Sequence, residues 1–163
     1  MIRFPYTIRL DQSDTQVFER AAESGEWAIP GTFVFSNADV SSLKGKAAQA
    51  FAHGFLGLQS FGWSTLVEVG EIAEDDYESL VNALALHFVA RYGAPDVATA
   101  LPTARLEAEF AASLCDYDLH TMLAVERSME DDGIRERFKV IRPPDDGVLH
   151  NTAWTVADED GDG

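Results

Sequence analysis

Residues 51–64 crowd three glycines, four aromatic residues and one histidine into a single junction. Glycine lets backbone approach other atoms closely, and aromatic side chains bury the largest apolar areas. We therefore expect a tightly packed corner between a helix and a strand, or the wall of a pocket. Known loop chemistries do not fit: Gly54 and Gly57 lack the spacing of a dinucleotide loop, and no phosphate loop or nucleophile elbow follows.

Two interpretations of this corner stay open. In the functional one, His53 acts as a base or ligand and Trp63 stacks on a bound molecule, with Phe55 and Ser64 as further pocket candidates. In the structural one, the small residues simply let the aromatic side chains pack. The structural interpretation is favoured, because large aromatic residues contribute to cores far more often than to ligand contacts.

Composition limits both the architecture and the partners. The 163 residues, 46% of them hydrophobic, predict one domain over 1–143, followed by a Pro/Asp/Gly-rich acidic tail over 144–163. With 28 acidic and 12 basic residues, the formal net charge of −16 argues against nucleic acids and anionic membranes as partners. A single cysteine, no signal-peptide pattern and no long apolar run lead us to expect a soluble, cytoplasmic protein.

Hydrophobic periodicity predicts an α+β domain in which helices pack on one face of a mainly antiparallel sheet of about five strands. Alternating apolar residues indicate an edge strand over 2–10, because it contains Pro5, and a central strand over 63–72. Strands over 16–21 and 27–35 would complete an antiparallel meander with the first strand. Further strands are expected over 121–128 and 134–142, although the second of these also fits a helical pattern.

Three helices are predicted. The first spans about 43–55, and the second begins after Ala73 and ends before Gly93, with Tyr77, Leu80, Val81, Leu84 and Phe88 as its apolar stripe. The third runs from Pro102 to about Cys115 and should turn Leu106, Phe110 and Leu114 inward. The short Gly-Pro connection makes the second and third helices a hairpin.

A basic island stands out from the acidic background. Arg135, Arg137 and Lys139 would project to one face of a strand, where they could bind a phosphate, a carboxylate or the acidic surface of a second subunit. They are candidates for an anion site or an interface, and a homodimer or a protein partner is possible. The alternative is a solvated face that offsets the nearby acidic residues.

The remaining titratable clusters are unspecific. Residues 115–120 bring a thiol, two carboxylates and an imidazole together but lack paired metal-ligand spacing, and Cys115 fits an inert core residue. His87 and His150 have no partner at ligand spacing. The tail from Asp158 matches only the first six positions of a calcium loop. We therefore assign no catalytic residue, no metal site and no cofactor.

A resemblance to a known family rests on four segments of the chain, which are residues 7–15, 17–27, 54–64 and 110–115. In these the chain resembles a family of small uncharacterised alphaproteobacterial proteins of unknown function, over about residues 3–143. The resemblance implies a bacterial, cytoplasmic, accessory-type protein and brings no activity with it.

Absence of reaction motifs makes a non-enzymatic accessory or binding protein, acting through a surface or pocket, the leading hypothesis. The alternative is a small enzyme centred on His53, with a carboxylate such as Glu68 or Asp116 as its partner.

Overall fold

A computed structural model describes residues 1–9, 13–36, 39–142 and 155–158 and has the predicted mixed α+β architecture. The strands are β1 (Ile2–Ile8), β2 (Ala28–Ile29), β3 (Phe55–Gly57), β4 (Trp63–Ser64), β5 (Leu66–Ile72), β6 (Met122–Glu130), β7 (Gly133–Arg142) and β8 (Thr155–Asp158). The α-helices are α1 (Ser13–Val17), α2 (Gly45–His53), α3 (Glu74–Arg91) and α4 (Val97–Ser113). Among the described residues, every α-helix is too short or too polar to span a lipid bilayer.

The predicted antiparallel sheet of about five strands is confirmed, and a second antiparallel sheet accompanies it. The larger has five strands in the order β1-β5-β6-β7-β8, and the smaller has three in the order β2-β3-β4. β1 lies at an edge, as Pro5 predicts, and pairs with β5 from Ile2↔Ile72 to Ile8↔Leu66. β5 is central, and the segment 134–142 is a strand, with β6 and β7 paired along their length.

The predicted meander is wrong. Residues 16–21 do not form a strand: α1 extends through Val17, and the Asp14 carboxylate in this helix accepts a hydrogen bond from Thr65 Oγ1 at 2.8 Å. Only Ala28–Ile29 of the segment 27–35 is a strand. After Pro30, Gly31 adopts a φ of 77° and the chain continues as a 3₁₀ helix over Thr32–Phe35.

The helical hairpin is confirmed, but α4 presents a different face from the one predicted. It begins at Val97, where Asp96 caps it by accepting from the Thr99 amide at 2.7 Å. Leu106 is 65% exposed and Phe110 is 44% exposed, whereas Leu114, just after the helix, is partly buried and packs inward as predicted. Alanine side chains fill the buried face instead, because their small size lets α4 approach α3 closely: Ala100, Ala104, Ala108 and Ala111.

β8 lies within the segment 144–163 for which we predict an acidic tail. It pairs with β7 from Arg142↔Thr155 to Lys139↔Asp158. The other residues of that segment, including all but the first of the calcium-loop-like sequence, lie outside the described residues.

One buried cation joins four parts of the fold. The Arg127 side chain on β6 is fully buried, and its Nε lies 2.8 Å from Glu136 Oε2 on β7. Its Nη1 donates to the Phe51 and Gly54 carbonyls, each at 2.9 Å, and its Nη2 donates to the Pro30 carbonyl. Carbonyls at a helix C-terminus lack partners within the helix, so Arg127 caps α2. Burial lowers the pKa of Arg127, and Glu136 opposes this effect.

One buried anion fixes the loop that follows β3. Glu26 is 2% exposed, and its carboxylate accepts from the Gln59 amide at 3.0 Å, the Ser60 amide at 2.8 Å and the Glu23 amide at 2.8 Å. The Ser60 hydroxyl donates to it as well, at 2.7 Å. Burial favours the protonated form, but the hydrogen bonds, led by those from Ser60, outweigh it and lower the pKa of Glu26.

Replacing Arg127 tests the first of these buried charges. Arg127→Met should lower the free energy of unfolding by about 3 to 5 kcal/mol, because it leaves Glu136 unpaired and the carbonyls without donors. Arg135→Met on the exposed part of β7 is the control and should cost less than about 0.5 kcal/mol. Urea unfolding followed by circular dichroism measures both. Equal stability of the two variants would contradict the role of Arg127.

Replacing Glu26 tests the role of the second buried charge. Glu26→Gln should destabilise the protein near neutral pH by about 1.5 to 3 kcal/mol, because an amide cannot accept all the hydrogen bonds of a carboxylate. Since folding lowers the Glu26 pKa from 4.5, its stabilisation is present above that value and is lost as the pH falls through the folded pKa.

The difference between wild type and Glu26→Gln in urea unfolding should therefore shrink on acidification below 4.5. Glu23→Gln provides the control, because the Glu23 side chain is 77% exposed. A constant difference at every pH would show that the charge of Glu26 is not what stabilises the loop.

Candidate functional site

A pocket of about 550 Å³ opens beside the corner 51–64. We call it the aromatic pocket. Its lining contains five ring side chains and three basic side chains, together with a single acidic residue, Glu19. The rings belong to Phe35, Phe61, Trp63, His87 and Tyr92, and the basic side chains to Arg20, Lys46 and Arg91.

A stacked pair of rings forms one wall. Phe61 and His87 lie parallel, with their centroids 3.7 Å apart and an interplanar angle of 6°. Tyr92 lies next to them, 5.4 Å from His87 between centroids. Phe61 has a φ of 55°, in the left-handed region that phenylalanine rarely adopts. Burial, followed by the charge of Arg91, lowers the pKa of His87 and favours its neutral form.

Trp63 forms part of the lining because two glycines make room for its indole. A Cβ at Gly54 would lie 2.6 Å from Trp63 Cε3, and one at Gly31 would lie 3.1 Å from Trp63 Cζ3. The indole also packs against Phe35, with ring centroids 5.5 Å apart. The corner is therefore closely packed, and three of its residues, Leu56, Phe61 and Trp63, also line the pocket.

The basic side chains come from three separate elements. Lys46 lies in the first turn of α2 and Arg91 in the last turn of α3, and neither forms an ion pair with an acidic side chain of the described residues. Arg20 Nη1 donates to the Ser60 carbonyl at 3.1 Å. Positive charge thus collects at this pocket although the chain as a whole carries a net charge of −16.

His53 does not line the aromatic pocket. It lies in a second cavity of about 450 Å³, which we call the polar groove, with Glu126, Ser128, Arg135 and Arg137. His53 Nδ1 lies 3.1 Å from the Val125 carbonyl, to which it donates because a carbonyl can only accept. His53 therefore shares one groove with two members of the basic island, Arg135 and Arg137, although the three candidates come from separate segments of the sequence.

The remaining predicted site residues have structural contacts. Phe55 is fully buried and packs against Phe138, with ring centroids 6.2 Å apart. Ser64 is fully buried, and its hydroxyl donates to the Leu66 carbonyl at 2.7 Å. Lys139 Nζ lies 2.8 Å from Glu126 Oε1, and its hydrogen bond lowers the pKa of Glu126. The lining of neither cavity includes Phe55 or Ser64.

A third cluster joins residues that the sequence leaves far apart. Tyr6 on β1 donates its hydroxyl hydrogen to Glu68 Oε1 on β5, and His120 Nδ1, in the loop before β6, lies 3.0 Å from the same oxygen. Glu68 therefore has a histidine partner, but it is His120 rather than His53. The pairing Tyr6↔Glu68 depends on the register of β1 and β5, which periodicity alone does not reveal.

Cys115 is 1% exposed, and burial raises the pKa of its thiol to about 12. The thiol is therefore protonated at neutral pH and unsuited to nucleophilic attack. Within the described ranges, no group of three or more His, Cys, Asp or Glu side chains is arranged to hold a metal ion.

Comparison with known proteins identifies a family without an assigned activity. The model of a family of unknown function, DUF6505, matches residues 1–159, which is wider than the resemblance over 3–143. Neither a curated protein nor a solved structure gives a significant match. Because the family model spans nearly the whole chain, the protein belongs to DUF6505.

Proposed function

We propose that this protein binds a small molecule in the aromatic pocket, and that the ligand combines a flat apolar part with a negative charge. The observation that carries this proposal is the combination of five ring side chains with three basic side chains around one cavity of about 550 Å³. Small-molecule sites are typically concave, largely apolar and supplied with a few polar groups that orient the ligand.

The ring side chains favour a flat ligand. Phe61 and His87 already stack face to face, and Tyr92 is 44% exposed at the pocket. An aromatic ligand could bury apolar area against these rings and add ring contacts to the hydrophobic contribution. A neutral His87 can be covered by an apolar ring without the cost of removing a charge from water, since burial and Arg91 lower its pKa.

The basic side chains favour an anion. A net charge of −16 repels anions at long range, so an anionic ligand requires local compensation. Lys46 on α2 and Arg91 on α3 supply it, and neither is neutralised by an ion pair with a described acidic residue. Both side chains are exposed, so their attraction for an anion should weaken as the salt concentration rises.

The alternative, a small enzyme centred on His53, has less support. His53 lines the polar groove rather than the aromatic pocket, and its Nδ1 is occupied by the Val125 carbonyl. Of the two carboxylates considered as its partner, Glu68 is hydrogen-bonded to Tyr6 and His120, and Asp116 does not line the polar groove. We therefore propose that the aromatic pocket binds its ligand without catalysing a reaction, in a cytoplasmic protein.

Binding of 2-naphthoate, a flat apolar anion, tests the pocket. We expect isothermal titration calorimetry to detect binding that weakens about tenfold in Lys46→Glu and in Arg91→Glu, because each variant places a negative charge beside the carboxylate. Tyr92→Ala should also weaken binding, through lost ring contact. The uncharged analogue 2-naphthamide should bind less tightly than 2-naphthoate and should not respond to the charge reversals.

Lys44→Glu is the matched control, because Lys44 lies two residues before Lys46 and does not line the pocket. It makes the same charge change, and we expect less than about a twofold effect on affinity. If Lys44→Glu and Lys46→Glu weaken binding equally, the effect is one of net charge and the assignment to the pocket fails.

Native mass spectrometry of freshly purified protein addresses the natural ligand and the proposed homodimer together. We expect a species heavier than the 17.9 kDa chain by the mass of a small organic anion, and the subunit count in the same spectrum. The bound species should disappear in Arg91→Glu and persist in Lys44→Glu. A monomeric spectrum would count against the homodimer, and a ligand that both variants retain would count against the aromatic pocket.

A further inference from the structure

We propose that Tyr6, Glu68 and His120 form a second site, in which Nε2 of His120 is a nucleophile that accepts acyl groups from activated esters or thioesters. This site is independent of the aromatic pocket. It rests on the geometry of three side chains held by β1, β5 and the loop before β6.

Glu68 fixes the protonation pattern of the histidine ring. An ionised carboxylate only accepts hydrogen bonds, so the 3.0 Å contact requires His120 Nδ1 to carry the hydrogen. In the neutral ring, the lone pair is then on Nε2. The His120 side chain is 75% exposed, whereas that of Glu68 is 22% exposed, so the histidine is accessible and its partner is more sheltered.

The same carboxylate would assist the attack. When Nε2 forms a bond to an acyl carbon, the imidazole ring gains positive charge, and Glu68 stabilises that charge through Nδ1–H. The Tyr6 hydroxyl donates to Glu68 and restricts its movement. Burial, with help from the Glu68 hydrogen bond and charge, raises the pKa of Tyr6 to about 12, so Tyr6 remains a donor at neutral pH.

The backbone holds His120 in a conformation that costs free energy. Its φ is 71°, in the left-handed region, and its amide donates to the Val69 carbonyl at 2.8 Å. The Val69 amide donates in turn to the Thr121 carbonyl at 2.9 Å, so two backbone hydrogen bonds fix the loop on β5. Strained residues that a structure maintains are common at functional sites.

The charges of the surrounding chain favour an acyl group over a phosphoryl group. Asp116 and Asp118 precede His120 in the same loop, and Glu68 contacts it directly. These carboxylates repel a phosphate dianion, whereas the carbonyl carbon of an ester or thioester is uncharged.

In the proposed step, the Nε2 lone pair forms the N–C bond, and the C–O or C–S bond breaks with its electron pair leaving on oxygen or sulfur. Water then attacks the acyl carbon of this Nε2-acylimidazolium, and the C–N bond breaks with its electron pair returning to Nε2. One hydrogen of the water protonates the released alkoxide or thiolate, and the carboxylic acid keeps the other.

Reaction with p-nitrophenyl acetate tests the site in the full-length protein. We expect p-nitrophenolate release at least about tenfold faster than with the same concentration of 4-methylimidazole, and an acetyl adduct that mass spectrometry locates at His120. His120→Gln should remove most of the release, whereas His53→Gln should leave it unchanged. A rate equal to that of 4-methylimidazole, or equal loss in the two variants, would overturn the proposal.

Glu68 acts through His120 as a positioning residue, and its test needs a readout beyond rate. We expect Glu68→Gln to lower the His120-dependent rate about tenfold. Long-range ¹H–¹⁵N NMR spectra should show the Nδ1–H tautomer of His120 in the wild type and a tautomer mixture in Glu68→Gln. An unchanged rate in the folded variant, or an Nε2–H tautomer in the wild type, would overturn the proposal, and the second result does not depend on the folding of any variant.

Discussion

Most of this structure depends on the buried ion pair and hydrogen bonds that the Arg127 guanidinium forms. Its hydrogen bonds reach the end of α2, the Pro30 carbonyl and Glu136, which belong to three separate parts of the chain. Removing a charge from water is costly, so such a group persists only where its partners compensate for that cost. Because Arg127 holds the C-terminus of α2, it also sets where Lys46 and His53, at opposite ends of that helix, face their cavities.

Arg127 contacts the first part of the corner 51–64, and Glu26 contacts its later part. The Glu26 carboxylate binds the Gln59 and Ser60 amides, just before Phe61, whose ring stacks on His87. A Cβ at Gly57 would lie 2.5 Å from Glu26 Oε1, so the glycine is needed for this close approach. Arg127 thus fixes the end of α2, and Glu26 fixes the loop before Phe61. Both segments contribute to the aromatic pocket, so buried polar contacts hold parts of its lining in place.

Periodicity predicts the elements whose buried faces are continuous, such as α3 with its stripe from Tyr77 to Phe88, and the edge and central strands β1 and β5. It fails for α4, where alanine, a weakly hydrophobic residue, forms the buried face and the larger Leu106 and Phe110 are exposed. It also misses Arg127, because a charged residue in a strand resembles a solvated one until its partners are known. The Tyr6 and His120 contacts with Glu68 likewise require strand register and a loop conformation that spacing does not encode.

Among the described residues, the two non-glycine residues with positive φ are Phe61 and His120, and each lies at a proposed site. Phe61 stacks on His87 in the aromatic pocket, and His120 contacts Glu68. Each conformation costs free energy locally and is maintained by neighbouring contacts. Glu26 binds the Ser60 amide just before Phe61, and the Val69 carbonyl accepts a hydrogen bond from the His120 amide. The closely packed parts of the fold therefore maintain strained backbone at two separate surfaces, and this is why we propose function at these surfaces rather than at the closely packed Phe55 and Ser64.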